Sequence, residues 1–192
     1  MKLKGKQFMP IIGFLAINMV LITAACGQSK AGKAGLRVIL IRHGEKPVDG
    51  DNLSCSGFNR SVKLPDVIKG KFGIPDYVYV PSPGTGKQTK NCRMLQTVVP
   101  LAVKYNLTIN TNYNVDQSDK LADAVEKNKG TVLIVWEHKE LVSIAALLGI
   151  KKSQLQWDSN DYDSIWIITF SHGQAILTKD KEGIKPVEAC AF

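Results

Sequence analysis

Residues 38 to 41, Val-Ile-Leu-Ile, form a continuous apolar run that is followed at once by Arg42, His43 and Gly44. Such a run is typical of a strand covered on both faces, as in a parallel sheet. Four apolar residues alone would also fit part of a helix, but their β-branched content and the nearby Gly44 and Pro47 favour a strand. The polar residues would then lie at the carboxyl end of the strand, where ligands bind in open α/β sheets.

Arg42 and His43 together suit an anionic ligand. The guanidinium offers a planar fork of donors to phosphate or carboxylate. A neutral imidazole can attack phosphorus, and a neighbouring cation lowers the pKa of the histidine and so favours its neutral form. The competing interpretation is a surface turn whose arginine and histidine are merely solvated.

Strand and helix patterns alternate along the rest of the chain. Further strands are predicted over 77–80, 131–136 and 164–170, with a short one at 107–109 and an antiparallel edge strand at 174–178. Helices are predicted from about residue 57, with a break or kink at Pro65, and then over 92–105, around residues 121–127 after a cap at Asp116 or Ser118, and over 141–148. This alternation predicts an α/β fold, a three-layer α/β/α sandwich with a mostly parallel central sheet.

The first 26 residues are typical of a secretory signal peptide. Three lysines precede an apolar stretch over 8–25, and small residues stand before Cys26. The segment before Cys26 resembles a bacterial lipoprotein cleavage site, although Thr23 replaces the usual aliphatic residue. We therefore expect export, lipidation of Cys26 and attachment to a membrane facing the periplasm or the cell exterior. The alternatives are a plain signal peptide or an uncleaved anchor.

Residues 27–35 are small and polar, which predicts a flexible tether, and residues 36–192 would form the folded domain. Cleavage removes three of the 25 basic residues and no acidic residue, leaving 22 basic against 17 acidic, a net charge of +5. This excess fits an anionic substrate. Nucleic acid is not expected as a partner, because no basic stripe interleaved with aromatic residues occurs.

The loop over 81–91 contains glycines and lysines but does not match a nucleotide triphosphate-binding loop. Pro81 stands where the first glycine belongs, and Gln88 replaces the Ser or Thr after Lys87. Binding of a nucleoside triphosphate is therefore not expected.

An ordered set of motifs makes the chain similar to a known family. It consists of Ile-Arg-His-Gly-Glu-Lys at 41–46, Leu53-Ser54 with Gly57 and Arg60, Tyr-Val-Pro-Ser-Pro at 79–83, Arg93 with Gln96-Thr97, and His138. Together these motifs resemble the histidine phosphatase superfamily, which includes phosphoglycerate mutase-like proteins. The similarity covers residues 37–170.

The resemblance implies a role for each matching residue. His43 would be the nucleophile that becomes phosphohistidine, Arg42 and Arg93 would clamp the phosphoryl oxygens, and His138 would donate a further hydrogen bond. No metal and no cofactor are implied. Arg60 matches a common position on the first helix and is a second-tier candidate for substrate binding.

The second histidine has a rival in His172, since Ser-His-Gly at 171–173 also resembles the family pattern. The family histidine precedes a helix, as His138 does, whereas His172 precedes a predicted hairpin. We therefore favour His138.

The acid that protonates the leaving group stays open among three candidates, which are Glu137, Glu45 and Asp116 with its neighbour Asp119. Some relatives lack a clear acid and act on substrates with good leaving groups, such as phosphohistidine. Cys55, Cys92 and Cys190 remain after Cys26, and we expect one disulfide, between Cys55 and Cys92, both near predicted site residues. No Cys-x-x-Cys occurs, so a zinc finger or ribbon is excluded.

The expected function is a metal-independent phosphatase that acts on a small phosphorylated substrate. A mutase is less favoured, because the chain is short. The alternative from another class is a lipoprotein that binds an anion or a phosphorylated ligand on the same fold without turnover. No protein partner is implied.

Overall fold

The computed structural model describes residues 1, 33–84 and 91–190, and every structural statement below refers to these residues. The predicted signal peptide, Cys26 and most of the tether lie outside the described residues, as does the 85–90 part of the loop over 81–91. Within the described ranges, no helix combines the length and the apolar character needed to cross a membrane.

The six strands of the described chain form one sheet. They are β1 (Leu36–Arg42), β2 (Tyr77–Tyr79), β3 (Ile109–Asn110), β4 (Gly130–Trp136), β5 (Ser164–Ser171) and β6 (Gln174–Lys181), in the order β3-β2-β4-β1-β5-β6. The first four strands in that order run parallel, whereas β5 runs antiparallel to β1 and β6 antiparallel to β5. The central strand is the apolar run with which the sequence analysis began.

Four helices cover the two faces of the sheet. They are α1 (Cys55–Phe72), α2 (Cys92–Tyr105), α3 (Ser118–Val125) and α4 (His138–Leu147), and a single 3₁₀ turn follows at Lys152–Gln154. Along β1, Ile39 and Ile41 pack against α1 and α2, whereas Val38 and Leu40 pack against α3 and α4. Because successive strand residues point to opposite faces, the apolar run serves both layers. The expected three-layer sandwich is confirmed.

The predicted break in the first helix is wrong. α1 continues through Pro65, which is buried beside Leu64 and Ile68 on the face that packs against the sheet. A proline inside a helix costs about 3 kcal/mol through the lost hydrogen bond and the ring clash. Burial of the apolar face of an 18-residue helix outweighs this local penalty.

The disulfide also differs from the expectation. Cys55 pairs with Cys190, and Cys92 has no disulfide partner among the described residues. The C-terminal segment runs back along α1, where the Asn59 amide donates to the carbonyls of Val187 and Ala189. That path brings Cys190 to the first residue of α1, whereas Cys92 begins a different helix.

Candidate active site

Arg42 and His43 lie at the carboxyl end of the central strand, as predicted. Arg42 is the last residue of β1, and the His43 N–H donates to the carbonyl of Trp136 at the end of the neighbouring β4. Both side chains are buried, with exposed fractions of 3% and 4%. The interpretation as a solvated surface turn is therefore wrong.

The protonation of His43 follows from its contacts. Its Nδ1 lies 2.7 Å from the carbonyl oxygen of Gly44. A carbonyl oxygen only accepts, so Nδ1 carries the proton and Nε2 keeps its lone pair. The pKa of His43 is lowered to about 4, mainly by burial and also by the charges of Arg42, Arg93 and His138, against the opposing effect of the Gly44 hydrogen bond. The imidazole is therefore neutral near pH 7.

Arg42 is held by the loop over 157–163. Its Nη1 donates to the carbonyls of Ser159 (2.5 Å) and Asp161 (3.4 Å), and its Nη2 donates to the Tyr162 hydroxyl (3.3 Å). The guanidinium carbon lies 3.9 Å from the centroid of the Tyr162 ring, in a cation–π contact. The same ring meets His43 edge-on, with 6.0 Å between centroids. These contacts fix the plane of the guanidinium next to the nucleophile.

The first turns of α2 supply the second guanidinium and a backbone clamp. The Thr97 hydroxyl accepts from the Gly44 N–H at 2.9 Å and donates to the Arg93 carbonyl at 2.7 Å. Since Arg93 influences the pKa of both Arg42 and His43, its charge lies within the same site. The Nε atoms of Arg42 and Arg93 are buried and have no hydrogen-bond partner among the described residues. Two cationic donors of this kind beside a neutral imidazole form an environment suited to an oxyanion.

The two candidate histidines lie at opposite ends of the strands of the sheet. His138 is the first residue of α4, and only Glu137 separates it from the end of β4. Burial and the nearby charges of Arg42, Lys139 and Lys46 lower its pKa. His172 lies in the exposed turn between β5 and β6, with φ 50°. Because β5 is antiparallel to β1, that turn lies at the amino end of β1, away from His43. The structure thus brings Arg42, His43, Arg93 and His138 together and leaves His172 apart.

Solved structures with the same architecture were found by structural comparison. The protein histidine phosphatase SixA complexed with tungstate has a TM-score of 0.57 at 17% identity, covering 76% of this chain and 97% of that chain. A mutant phosphoserine phosphatase from Entamoeba histolytica with phosphoserine has a TM-score of 0.52 at 18% identity, covering 77% and 97%. A proposed α-ribazole-5′-P phosphatase from Escherichia coli has a TM-score of 0.55 at 14% identity, covering 82% and 100%.

The chain has the fold of the histidine phosphatases. No family model matches the sequence. No curated protein matches it at a significant level either. At the identities found, the likeness extends to the fold, and the chemistry must be argued from the residues of this chain.

Two of the predicted site residues have other roles in this histidine phosphatase fold. Arg60, expected as a second-tier substrate contact, donates to both oxygens of Glu45, and its Nη1 pairs with Glu182 at 2.6 Å. Its guanidinium is thus committed to the half-buried Glu45 and the buried Glu182, and the assignment to substrate binding is wrong. Glu45, one of the three candidate acids, is occupied by the same ion pair.

The remaining candidate acids differ in position. Asp116 and Asp119 are exposed near the start of α3, and neither is among the groups that influence the pKa values of Arg42, His43 and His138. Glu137 is the N-cap residue of α4, half-buried, and its charge raises the pKa of Arg42 against the larger effect of burial. Of the predicted acids, only Glu137 both makes no ion pair among the described residues and acts on Arg42.

Tyr162 and the loop that holds Arg42 were not predicted from the sequence. Their position follows from β5, the strand after the loop, because a strand antiparallel to β1 begins where β1 ends. Ile165 pairs with Ile41, so the polar segment before β5 arrives at the carboxyl end of β1. Recognising β5 as antiparallel would have placed residues 157–163 at the site.

Proposed function

We propose that this protein is a phosphatase that cleaves phosphomonoesters, or another phosphorylated compound, through a phosphohistidine formed on His43. One observation carries the proposal. The hydrogen bond from Nδ1 of His43 to the Gly44 carbonyl places the ring proton on Nδ1, and the pKa of about 4 keeps the ring neutral. The lone pair of Nε2 is therefore available. A neutral imidazole is the form that attacks phosphorus. The fold shared with the protein histidine phosphatase SixA supports the assignment.

The reaction requires two displacements at phosphorus. In the first, Nε2 of His43 forms a bond to phosphorus while the bond to the leaving oxygen breaks and that oxygen takes up a proton. In the second, water attacks phosphorus and gives a proton to the group that had protonated the leaving oxygen, the N–P bond breaks and inorganic phosphate leaves. Arg42 and Arg93 hold the phosphoryl oxygens through their guanidinium donors, and His138 stabilises the charge that develops.

Glu137 is our choice for the proton donor. The Glu45 carboxylate is engaged by Arg60, and Asp116 is exposed near α3. Glu137 lies next to His138 in sequence, and its charge acts on Arg42. A substrate with a good leaving group would depend little on this residue.

The test is release of p-nitrophenol from p-nitrophenyl phosphate by purified protein in the presence of a metal chelator. We expect turnover, its loss in His43→Ala, and loss of covalent labelling by a phosphoryl donor in the same variant. Labelling that survives His43→Ala would remove His43 from its role. Binding of vanadate without turnover would instead favour a non-catalytic protein that binds a phosphorylated ligand.

The Glu137→Gln variant tests proton donation by Glu137 apart from binding of the phosphoryl group by Arg42 and Arg93. With p-nitrophenyl phosphate, whose leaving group needs little protonation, we expect kcat to change by less than about threefold. With an alkyl phosphate, the same variant should lose at least about a hundredfold in kcat. Equal losses on both substrates would argue against a proton-donor role.

We also propose that the protein is exported and anchored by a lipid on Cys26. The Cys55–Cys190 disulfide supports this, because disulfides persist in oxidising compartments. The expected results are a diacylglyceryl mass on the peptide beginning at Cys26 and release of Cys26→Ser into the soluble fraction. Cys92→Ser is the matched control and should stay with the membrane. A Cys26 peptide of unmodified mass would contradict the proposal.

A further inference from the structure

A buried cluster of charges lies beside the candidate active site without contributing to it. Arg60 of α1 is at its centre, with an exposed fraction of 4%. Its donors reach Glu45 at 2.7 and 3.0 Å, Glu182 at 2.6 Å and Asp163 at 3.4 Å. One guanidinium thus faces three carboxylates that come from three separate segments of the chain.

The charges of the cluster do not balance. The Glu182 side chain is fully buried, and its Oε1 has no hydrogen-bond partner among the described residues. The pKa of Glu182 is raised to about 7, mainly by burial and also by the charges of Asp163 and Glu45, against the opposing effect of Arg60. Well-packed apolar residues often stabilise a fold as well as a buried ion cluster does. Stability alone is therefore a poor reason for this arrangement.

Two of the three segments that Arg60 joins carry parts of the phosphate site. Glu45 follows His43 and Gly44 directly. Asp163 follows Tyr162, the residue stacked on Arg42, and its N–H bonds to the side chain of Asp161, whose carbonyl accepts from Arg42. Glu45 and Asp163 are thus each within two residues of a group that holds or forms the site.

The segment just after β6 also binds Asp163. The Glu182 N–H donates to the Asp163 carbonyl at 2.7 Å, and the Ile184 N–H donates to the Asp163 carboxylate at 3.2 Å. Asp163 is thereby fixed to β6 as well as to Arg60. Arg60 contacts Glu45 at 2.7 Å and Asp163 at 3.4 Å, so a movement of Arg60 would act on both loops.

We propose that Arg60 is a positioning residue, which keeps the segment that carries His43 and the loop that holds Arg42 in register. The inference rests on the proposed phosphatase function. Arg60 itself touches neither the nucleophile nor the clamp. Its effect reaches the reaction through Glu45 on one side and through Asp163 on the other.

The first experiment compares Arg60→Met with Arg37→Met as a matched control. Arg37 lies at the opposite end of β1, and its guanidinium donates to the Phe72 carbonyl and the Thr131 hydroxyl. Both variants lose side-chain hydrogen bonds that tie α1 to another segment of the chain. For Arg60→Met we expect kcat with p-nitrophenyl phosphate to fall by about tenfold to a hundredfold, with KM changed by less than about threefold. For Arg37→Met we expect both constants to stay at the wild-type level.

Glu45→Gln is the second variant, which keeps the protein testable if Arg60→Met does not fold. An amide of the same shape still accepts one hydrogen bond from Arg60 but loses the charge. We expect a loss of kcat in the same direction as for Arg60→Met. Arg60→Lys should restore part of the activity, because an ammonium keeps the charge but cannot span all three carboxylates.

The second readout does not need turnover. The chain contains three histidines, so the imidazole resonances of His43 can be assigned in NMR spectra by single substitutions. We expect the His43 resonances and their pH titration to move in Arg60→Met and in Glu45→Gln and to stay unchanged in Arg37→Met. Wild-type protein without turnover would refute the proposed function while this measurement still tests the positioning role. Unchanged His43 resonances and unchanged kcat in the folded Arg60 and Glu45 variants would overturn the inference.

Discussion

At the scale of single residues, the neutrality of His43 is the property from which the chemistry follows. Burial and three neighbouring cationic groups bring its pKa to about 4. We therefore expect the acidic limb of kcat/KM, corrected for ionisation of the substrate, to have its midpoint near pH 4, since kcat/KM reports the free enzyme. Arg93→Met removes one of those charges and should raise the midpoint, by up to about one unit because burial is the larger cause. A wild-type midpoint near pH 6.5 would contradict the environment described for this ring.

Tyr162 offers a second test at this scale. It supports Arg42 in two ways, by a hydrogen bond at 3.3 Å and by the ring face at 3.9 Å. Tyr162→Phe keeps the ring and should lower kcat/KM by less than about threefold, since one long hydrogen bond contributes little. Tyr162→Leu removes both contacts, and we expect a loss of about tenfold or more because a desolvated cation–π contact is worth about 2 kcal/mol. Equal activities of the two variants, measured as kcat/KM, would exclude the ring as a support for Arg42.

At the scale of elements, the start of α1 is packed directly onto the segment after His43. A Cβ added to Gly57 would lie 2.3 Å from the Glu45 carbonyl oxygen, and one added to Gly44 would lie 2.9 Å from the Gly57 carbonyl oxygen. The Ser54 N–H and hydroxyl also donate to the Glu45 carbonyl, at 2.9 and 3.1 Å. Glycine is needed at these two positions because two backbones approach each other closely.

Gly57→Ala should therefore push α1 away from the catalytic segment. We expect a loss of stability of about 1 to 3 kcal/mol and a fall in kcat, measured by urea unfolding and by phosphatase assay. The matched control is Gly70→Ala in the same helix, where an added Cβ meets nothing within 4 Å. That variant should gain up to about 1 kcal/mol from helix propensity and keep its activity. Similar effects of the two substitutions would show that close packing at Gly57 is unimportant.

The elements also show what could be predicted from the sequence. The apolar runs that became β1 and β4 were predicted correctly, as was a histidine within two residues of the end of each strand, because buried parallel strands carry a strong local signal. The continuity of α1 through Pro65 and the Cys55–Cys190 pairing were not predicted, since both depend on packing between segments distant in sequence. For the same reason Arg60 was assigned to the substrate, because a sequence cannot show that Glu182, 122 residues away, reaches it.

At the scale of the whole molecule, two buried groups give the folded protein opposite pH dependences of stability. The folded-state pKa of Glu182 is raised from 4.5 to about 7, mainly by burial. Folded protein keeps that proton where unfolded protein releases it, so this contribution is fully present below pH 4.5 and is lost as pH rises through 7. The folded-state pKa of His43 is lowered from 6.5 to about 4, again mainly by burial. Its contribution is present above pH 6.5 and is lost as pH falls through 4.

The two contributions cancel over most of their common range, so we expect the free energy of unfolding of the wild-type protein to change little between pH 4.5 and 6.5. Glu182→Gln removes the contribution that decreases with pH, so the free energy of unfolding of this variant should rise by about 3 kcal/mol from pH 4 to 6.5. His138 adds to this rise, because its pKa is also lowered, mainly by burial. His43→Gln should show the reverse, a fall of similar size as pH increases from 4.5 to 7. Urea unfolding of the three proteins across pH 4 to 8 measures these curves. Parallel curves for wild type and Glu182→Gln would mean that the Glu182 carboxyl has the same pKa in the folded and unfolded chains, and that the cluster around Arg60 is balanced by another group.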